Sequence, residues 1–433
     1  MMKNVAVVSL GCDKNRIDTE HMLSYLNECG YNITNDYDGA EIIIVNTCAF
    51  IGSAREEAVE TILEMAEKKK IGSCKKLLVT GCLPQKYSAE LVEELTEVDA
   101  FLGVNDYDKL VSAIESASKC VHIDGRDRVL VQNRIVTTPR HYAYLSVADG
   151  CDNFCTFCTI PSIRGKYRSR RMEDIVDEAK RLVAVGVREI ILVAQDVTRY
   201  GIDLYGCYAL TELLKKLSEL DVLWLRLLYC YPELVTDELL NEIAKNDKIA
   251  KYIDVPMQHY DDGILKLMNR RSDSSQLERV VKKAKEFGIA LRTTFMVGFP
   301  TETEEQFERL CEFVERSDID NVGIFAYSTE EDTPSARLRP RVNRRTKEQR
   351  VRALGEIHLK NARRRGEKAV GKVFEVLYED IDYERGMFVG RTQSNAPDID
   401  SVVYFKADFV DVGELYKVRI TDFEDYDLIG EKV

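Results

Sequence analysis

No stretch of the 433 residues approaches the roughly 18 consecutive apolar residues that a membrane span needs. The opening Met1-Met2-Lys3-Asn4 leads into only a short apolar run that ends at Gly11-Cys12. The expectation is a cytoplasmic protein with no membrane association. Low-complexity tracts and solenoid-type repeats are also lacking. With 45% hydrophobic and 31% charged residues the composition is that of a globular chain, which excludes wholesale disorder. An excess of positive charge is missing too, since the net charge of -13 argues against a molecule built as a whole to coat nucleic acid. Twelve cysteines are too sparse for a disulfide scaffold in a chain of this length. They are expected as thiols, and thiols at regular spacings suggest metal ligands.

Length alone predicts about three domains. Three early segments repeat one pattern, an apolar β-branched run ending in a cysteine before a helix-like stretch: Val5 to Cys12, Ile42 to Cys48 and Leu77 to Cys82. This predicts βαβ units and a parallel sheet. Because such strands share a carboxyl edge, Cys12, Cys48 and Cys82 could meet in space. After a polar connector a second βα series follows, with strands expected at Tyr142–Val147, Glu189–Val193, Trp224–Tyr229, Tyr252–Val255, Ala290–Val297 and Asn321–Tyr327. Six units fit a partial βα barrel, and polar residues fall at its strand ends, where barrel chemistry sits. Segment 337–365 carries a net +10 and reads as one helix with its approach. Segment 366–433 carries -8 and reads as short strands at Val373–Tyr378, Met387–Val389, Val402–Phe405 and Tyr416–Ile420, a small antiparallel β-barrel of OB-like type. The fold class is α/β, divided at 1–125, 126–140 (linker), 141–336, 337–365 and 366–433.

The sharpest local signal is Cys151-Asp152-Asn153-Phe154-Cys155-Thr156-Phe157-Cys158, directly after the first expected barrel strand. Three thiolates on one loop suit an iron–sulfur cluster with one iron left free for a ligand. A structural zinc wants four closed ligands, and the nearest preceding histidine, His141, lies at the far end of that strand. For Cys12, Cys48 and Cys82, spaced by 36 and 34 residues, a cluster and a set of buried core thiols stand as even alternatives. Cys29, Cys74, Cys120, Cys207, Cys230 and Cys311 lack partners at ligand spacing.

The run from Cys151 to Cys158, with Phe157 before its third cysteine, resembles the fingerprint of the radical S-adenosylmethionine enzymes. The resemblance implies a four-iron, four-sulfur cluster whose open iron chelates S-adenosylmethionine, and one-electron cleavage to a 5′-deoxyadenosyl radical. It maps nucleoside contacts to Phe157, Gln195, Asp196, Val297 and Gly298, although an apolar strand ending in Gly-Phe-Pro is as often only a turn. Gly11-Cys12-Asp13-Lys14-Asn15, Val45-Asn46-Thr47-Cys48 and Thr80-Gly81-Cys82 look like the amino-terminal domain of the methylthiotransferases, which implies a second cluster that handles sulfur. Val389 to Asp398 resembles the TRAM barrel of the same family. Ser9-Leu10-Gly11-Cys12 with Lys14-Asn15 and Asp18, Ile160 to Gly165, Ala194 to Gly201 and Asp254 to His259 are similar to the RimO type. That type converts an aspartate of small-subunit ribosomal protein twelve to 3-methylthioaspartate. Asp13 stands where proline is expected, and Arg16 and Thr19 differ as well.

The implied cofactors are two 4Fe-4S clusters and S-adenosylmethionine. The implied partners are ribosomal protein twelve or the assembling subunit, a reductant such as flavodoxin, and a sulfur donor. Charge adds an independent argument, because an acidic terminal domain would repel RNA and suits a basic ribosomal protein; plain solvation of a small surface explains the same charge. The +10 segment could contact ribosomal RNA, or pack as a salt-bridged helix on the acidic remainder. Arg164, Lys166, Arg168, Arg170 and Arg171 could steer an acidic group, though charged loops usually face water. A hydrogen bond fits His259 better than a role as general base. The competing functions are methylthiolation of adenosine in transfer RNA and, in another class, a non-enzymatic RNA-binding metalloprotein.

Overall fold

The protein is described as a computed structural model covering residues 2–123 and 133–433. Its first sheet is built on β-branched runs that alternate between two faces. In Ile42–Thr47, Ile43 and Val45 pack on one helical layer with Ala58, Ile62 and Met65, while Ile42 and Ile44 pack on the other with Met22 and Leu26. Burial on both faces is the pattern of a parallel sheet between helices. The strands are β1 (Asn4–Ser9), β2 (Asn32–Ile33), β3 (Ile42–Thr47), β4 (Lys76–Gly81), β5 (Ala100–Leu102) and β6 (Cys120–His122), ordered β2-β1-β3-β4-β5-β6 and all parallel. Sequence pattern anticipated β1, β3 and β4. The others, two or three residues long, are too short to carry a period.

The expected linker 126–140 falls partly outside the described residues. Its described part is fastened to the helix Asp13–Glu28: the backbone N–H and hydroxyl of Thr137 donate to Glu20 at 2.7 and 2.8 Å, and Arg134 bridges Glu20 and Glu178 at 3.1 Å each.

The central region contains β7 (Tyr142–Ser146), β8 (Ala148–Asp149), β9 (Arg168–Ser169), β10 (Glu189–Val193), β11 (Trp224–Leu227), β12 (Tyr252–Asp254), β13 (Ala290–Val297) and β14 (Asn321–Ala326). Six of these form two parallel three-stranded sheets, β7-β10-β11 and β12-β13-β14, that follow one another in chain order. A single parallel bridge, Leu225 to Ile249, lies at the junction, so the expected partial barrel is present with an interruption between its third and fourth strands. Outward side chains such as Leu145, Leu192, Leu227 and Val255 pack on the helices. Inward ones, Tyr142, Tyr144, Ile191, Val193, Trp224 and Tyr252, share the lumen with Ile17 from the first domain and with Leu377 and Ala396 from the last. All three domains therefore meet inside the barrel.

The basic segment is the helix Arg344–Ala369, which runs past the expected end at 365. Buried Arg350 bonds Glu302 at 2.7 Å, and Arg365 bonds Asp318 at 2.6 Å. Packing on acidic groups thus accounts for part of the charge. Arg345 and Arg352 remain exposed on the same helix.

The terminal strands are β15 (Val373–Asp382), β16 (Met387–Arg391), β17 (Val403–Lys406), β18 (Leu415–Glu424) and β19 (Asp427–Lys432), closed in the order β15-β16-β17-β19-β18. The pairing is not wholly antiparallel, since β17 and β19 run parallel. An odd number of strands in a closed ring cannot alternate throughout, so at least one parallel pair is required. This barrel sits at the amino ends of the central strands. Arg391 bonds Glu189, the Gln393 carbonyl accepts from Arg226, and Asp400 pairs with Arg292 and accepts from the Tyr252 hydroxyl. Among the described residues no helix is long and apolar enough to cross a membrane.

Candidate metal centres

Parallel register brings the amino-terminal cysteines together. Ser9 pairs with Asn46 and Thr47 with Gly81, so Cys12, Cys48 and Cys82 all follow strand ends on one sheet edge. Cys12 caps the helix Asp13–Glu28, and Cys82 opens the helix Cys82–Glu94. Close approach depends on two left-handed glycines. A Cβ on Gly11 (φ +90°) would lie 2.6 Å from Cys48 Cβ, and one on Gly81 (φ +101°) would lie 2.4 Å from Asn46 Oδ1. Asn15 organises the floor of this pocket. Its Nδ2 donates to the carbonyls of Leu10 (3.0 Å) and Thr47 (2.8 Å), and its Oδ1 accepts from the Cys82 thiol at 3.7 Å. Burial pushes the Cys82 thiol up to about 12 and also raises Cys48, while Cys12 is exposed.

The second trio lies on a loop whose neck is the two-stranded ribbon β8–β9. Gly150 (φ +76°) leaves no room for a side chain, because a Cβ there would sit 2.0 Å from the Lys166 carbonyl oxygen. The loop is tied down by Asn269, which donates to the carbonyls of Asn153 (3.2 Å) and Phe154 (3.0 Å), and by Thr156 N–H donating to Met268 O at 3.0 Å. Burial raises Cys151 to about 11 and Cys158 to about 12. Compensating donors point at the sulfurs: Arg270 lies 3.8 Å from Cys155 Sγ, the Tyr231 hydroxyl 3.7 Å, and the Ile160 N–H 3.5 Å from Cys158 Sγ.

Both sets fit an iron–sulfur cluster by donor chemistry: three soft thiols each, two of the three buried, and cations or N–H groups placed to stabilise thiolate. Among the described residues, no group of three or more His, Cys, Asp or Glu side chains closes to the spacing of a single metal ion.

The residues expected to touch S-adenosylmethionine are placed unevenly. Gln195 lies beside the cysteine loop, its Nε2 bonded to Asp149 at 3.3 Å and its Oε1 buried without a partner. The Asp196 carboxylate is engaged by Asn153 (3.0 Å) and Thr198 (2.6 Å), and thereby braces the cysteine loop. Phe157 packs with Ile264, Met268, Phe299 and Tyr327. Val297 belongs to the core, and Gly298 is approached by the Lys347 stem, 2.4 Å from the position its Cβ would take. Below that turn Glu302 accepts from the Gly298 and Phe299 N–H groups. His259 is fully buried, its Nδ1 accepting from the Asp261 N–H at 2.9 Å, the structural bond expected of it.

Tyr231 and Arg270, which the sequence did not single out, and Tyr229, expected only as a strand end, shape the space between the trios. Tyr229 and Tyr231 flank Cys230 at the end of β11. Lys14 Nζ stands 3.1 Å over the Tyr229 ring, and the Tyr229 hydroxyl reaches Asp13 at 3.4 Å. Arg270 stacks on Tyr231 at 4.1 Å. Arg164 does not face water: it is buried and pairs with Asp18 at 2.7 Å and Asp149 at 3.2 Å. The sequence signal for its burial is an apolar approach, Ile160-Pro161-Ser162-Ile163, ending at a positive-φ glycine, Gly165.

Residues 145–314 match the Radical SAM superfamily, residues 4–103 the Uncharacterized protein family UPF0004, and residues 370–433 the TRAM domain. The chain is 47% identical to the ribosomal protein uS12 methylthiotransferase RimO of Thermoanaerobacter sp. (strain X514), covering 99% of this chain and 100% of that one. It is 44% identical to the protein of the same name from Clostridioides difficile (strain 630), covering 99% of each. Among solved structures it is similar in fold to the radical S-adenosylmethionine methyltransferase TsrM from Kitasatospora setae, with cobalamin and a [4Fe-4S] cluster bound. That likeness has a TM-score of 0.58 and 16% identity over 77% of each chain.

Proposed function

The chain belongs to the RimO family of ribosomal protein uS12 methylthiotransferases, and from that premise we propose how its residues carry the reaction. One β C–H of a uS12 aspartate is replaced by a methylthio group, with one S-adenosylmethionine as methyl donor and another as radical source. The observation that carries this reading is the presence of two three-cysteine pockets, each with two buried thiols, that share the Arg164 network.

Bound iron–sulfur cluster and S-adenosylmethionine supply the one-electron chemistry that an unactivated C–H bond demands. The protein's part is to hold, orient and enclose. Cys151, Cys155 and Cys158 would hold the radical-generating cluster, and Cys12, Cys48 and Cys82 a second, sulfur-handling one. Arg270 and Tyr231 set a cation and a hydroxyl against Cys155. Gln195 Oε1, unpartnered beside the cysteine loop, is the acceptor best placed for a cofactor donor. Phe157, Val297 and Gly298 would line the same cofactor site, and Asp196 braces the cysteine loop through Asn153. The lumen tyrosines pack with Ile17 in the barrel interior.

Segments 1–125, 141–336 and 366–433 are assigned as the sulfur-handling domain, the radical domain and the terminal docking barrel, with the helix from 344 between the last two. The partner is uS12, free or in the assembling subunit, together with a reductant such as flavodoxin and a sulfur donor. The exposed Arg345 and Arg352 face is assigned to ribosomal RNA.

The test is anaerobic reconstitution with iron and sulfide, then incubation with S-adenosylmethionine, dithionite and either purified uS12 or transfer RNA, read by mass spectrometry. A mass gain of CH3S in place of H on a uS12 aspartate is the expected result. The same gain on adenosine would move the substrate to RNA, and no gain on either would overturn the reading.

A further inference from the structure

Arg164 ends the short helix Ile160–Arg164, six residues beyond Cys158, and its guanidinium crosses from the central barrel into the first domain. Nη1 donates to Asp149 Oδ1 at 3.2 Å, and Nη2 donates to Asp18 Oδ2 at 2.7 Å and to Asn15 Oδ1 at 3.1 Å. Each partner adjoins a cysteine. Asp149 lies two residues before Cys151. Asn15 and Asp18 occupy the opening turns of the helix that Cys12 caps. The same Asn15 Oδ1 accepts from the Cys82 thiol, and Asn15 Nδ2 holds the carbonyl of Thr47, the residue before Cys48. One planar group therefore fixes positions next to four of the six cysteines, on both sides of a domain boundary.

The chemistry of this contact is specific to arginine. A rigid fork can satisfy two carboxylates and an amide oxygen at once, whereas an ammonium on a flexible stem offers a point charge without that geometry. Burial raises the stakes, because Asp18 and Asp149 are themselves buried and each loses a close cation when the fork is removed.

We propose that Arg164 is a positioning residue that holds the two cysteine pockets in a fixed relation, so that radical formation at one pocket is coupled to sulfur insertion at the other. This rests on the functional reading above. Without the fork each pocket still binds its metal and cleavage of S-adenosylmethionine continues, but the radical is spent away from the sulfur. A misplacement of about 1 Å can cost on the order of 10²-fold in a reaction that depends on alignment. An ordinary stabilising ion pair would instead lower both activities together.

The experiment uses the full chain with Arg164→Lys and Arg164→Gln, and Glu189→Gln as a comparison for the loss of a remote buried ion pair. In iron-free protein, iodoacetamide labelling is followed residue by residue. The labelling rate of Cys82 at fixed pH is expected to differ from wild type in both Arg164 variants, because Asn15 links its thiol to the fork, with Cys158 unchanged. After reconstitution, iron content and 5′-deoxyadenosine formation are expected to stay within about twofold of wild type, while methylthiolated uS12 per deoxyadenosine falls by about 10²-fold. Lysine is expected not to rescue that ratio. An unchanged ratio, a parallel fall of both activities as in Glu189→Gln, or unchanged Cys82 labelling would each overturn the proposal. If Arg164→Gln fails to fold, Asp18→Asn supplies the same two readouts. Should wild type cleave S-adenosylmethionine yet never modify uS12, the functional reading fails, and the Cys82 labelling alone then judges Arg164.

Discussion

The carbonyl oxygen of Lys166 occupies the place that a side chain on Gly150 would need, 2.0 Å from the position of its Cβ. This contact closes the neck of the loop that carries Cys151, Cys155 and Cys158. Gly150→Ala is therefore expected to cost roughly 1–3 kcal/mol through its left-handed backbone and the clash. Iron bound after reconstitution should fall by the equivalent of one cluster. Gly186→Ala, left-handed but with open space around it, should cost about 1 kcal/mol and leave iron content unchanged. Iron assay and thermal melting of both variants check this.

The two thiol sets should separate by readout. Alanine at Cys151, Cys155 or Cys158 is expected to abolish 5′-deoxyadenosine formation. Cys12→Ala should spare cleavage and stop methylthiolation. Equal loss of both activities in Cys12→Ala, measured by chromatography and mass spectrometry on one sample, would contradict the division of labour.

Arg391 is almost wholly buried between Glu189 (2.7 Å) and Glu379 (2.6 Å), with Arg226 on the far side of Glu189 at 2.5 Å. Arg391→Met takes a cation from buried Glu189, which keeps Arg226, and from half-buried Glu379, which keeps His141, and is expected to destabilise the protein by at most about 3–5 kcal/mol. Denaturant melts would show the loss, and a cost below about 1 kcal/mol would place this network with exposed pairs.

Acid should loosen the seam between the long helix and the terminal barrel. Burial, aided by nearby Arg365, lowers His358 from 6.5 to about 4, and its ring stacks on Tyr426 at 5.3 Å. The folded state thus resists protonation that the unfolded chain accepts. The contribution of His358 is complete above pH 6.5 and lost as pH falls toward 4, amounting to about 2–3 kcal/mol. Melting temperature measured across that window should drop in wild type and drop less in His358→Leu.

Charge reversal at Arg345 and Arg352 is expected to weaken association with the small ribosomal subunit at low salt by about tenfold or more, with less effect at high salt. Unchanged low-salt affinity in a sedimentation assay would remove the RNA contact.

Sequence pattern revealed the strands whose side chains alternate or run apolar for five residues or more, and with them the parallel order that gathers Cys12, Cys48 and Cys82. It missed β19, because Asp427-Leu428-Ile429-Gly430-Glu431-Lys432 shows only a brief apolar pair inside charged residues. It did not reveal the gap between β11 and β12, since pairing between strands leaves no mark on either one alone. Charge was the least legible property. Arg164 and Arg171 look alike in the sequence, yet one is buried between a carboxylate of its own domain and one of another, and the other is exposed. Asp196 stands at a strand end as expected, but its oxygens are engaged by Asn153 and Thr198. Periodicity reports whether a side chain is buried, not what it faces.

The terminal barrel, placed at the amino ends of the central strands, is also their stopper. Deleting residues 366–433 would do more than remove a proposed docking surface: it would uncap the lumen at Ala396 and Leu377 and strip Glu189 of Arg391, Arg226 of the Gln393 carbonyl and Arg292 of Asp400. A truncated enzyme that no longer modifies its substrate would therefore report a breached vessel as readily as a lost handhold. Substitutions on the outer acidic face, which leave the stopper seated, are what can tell the two apart.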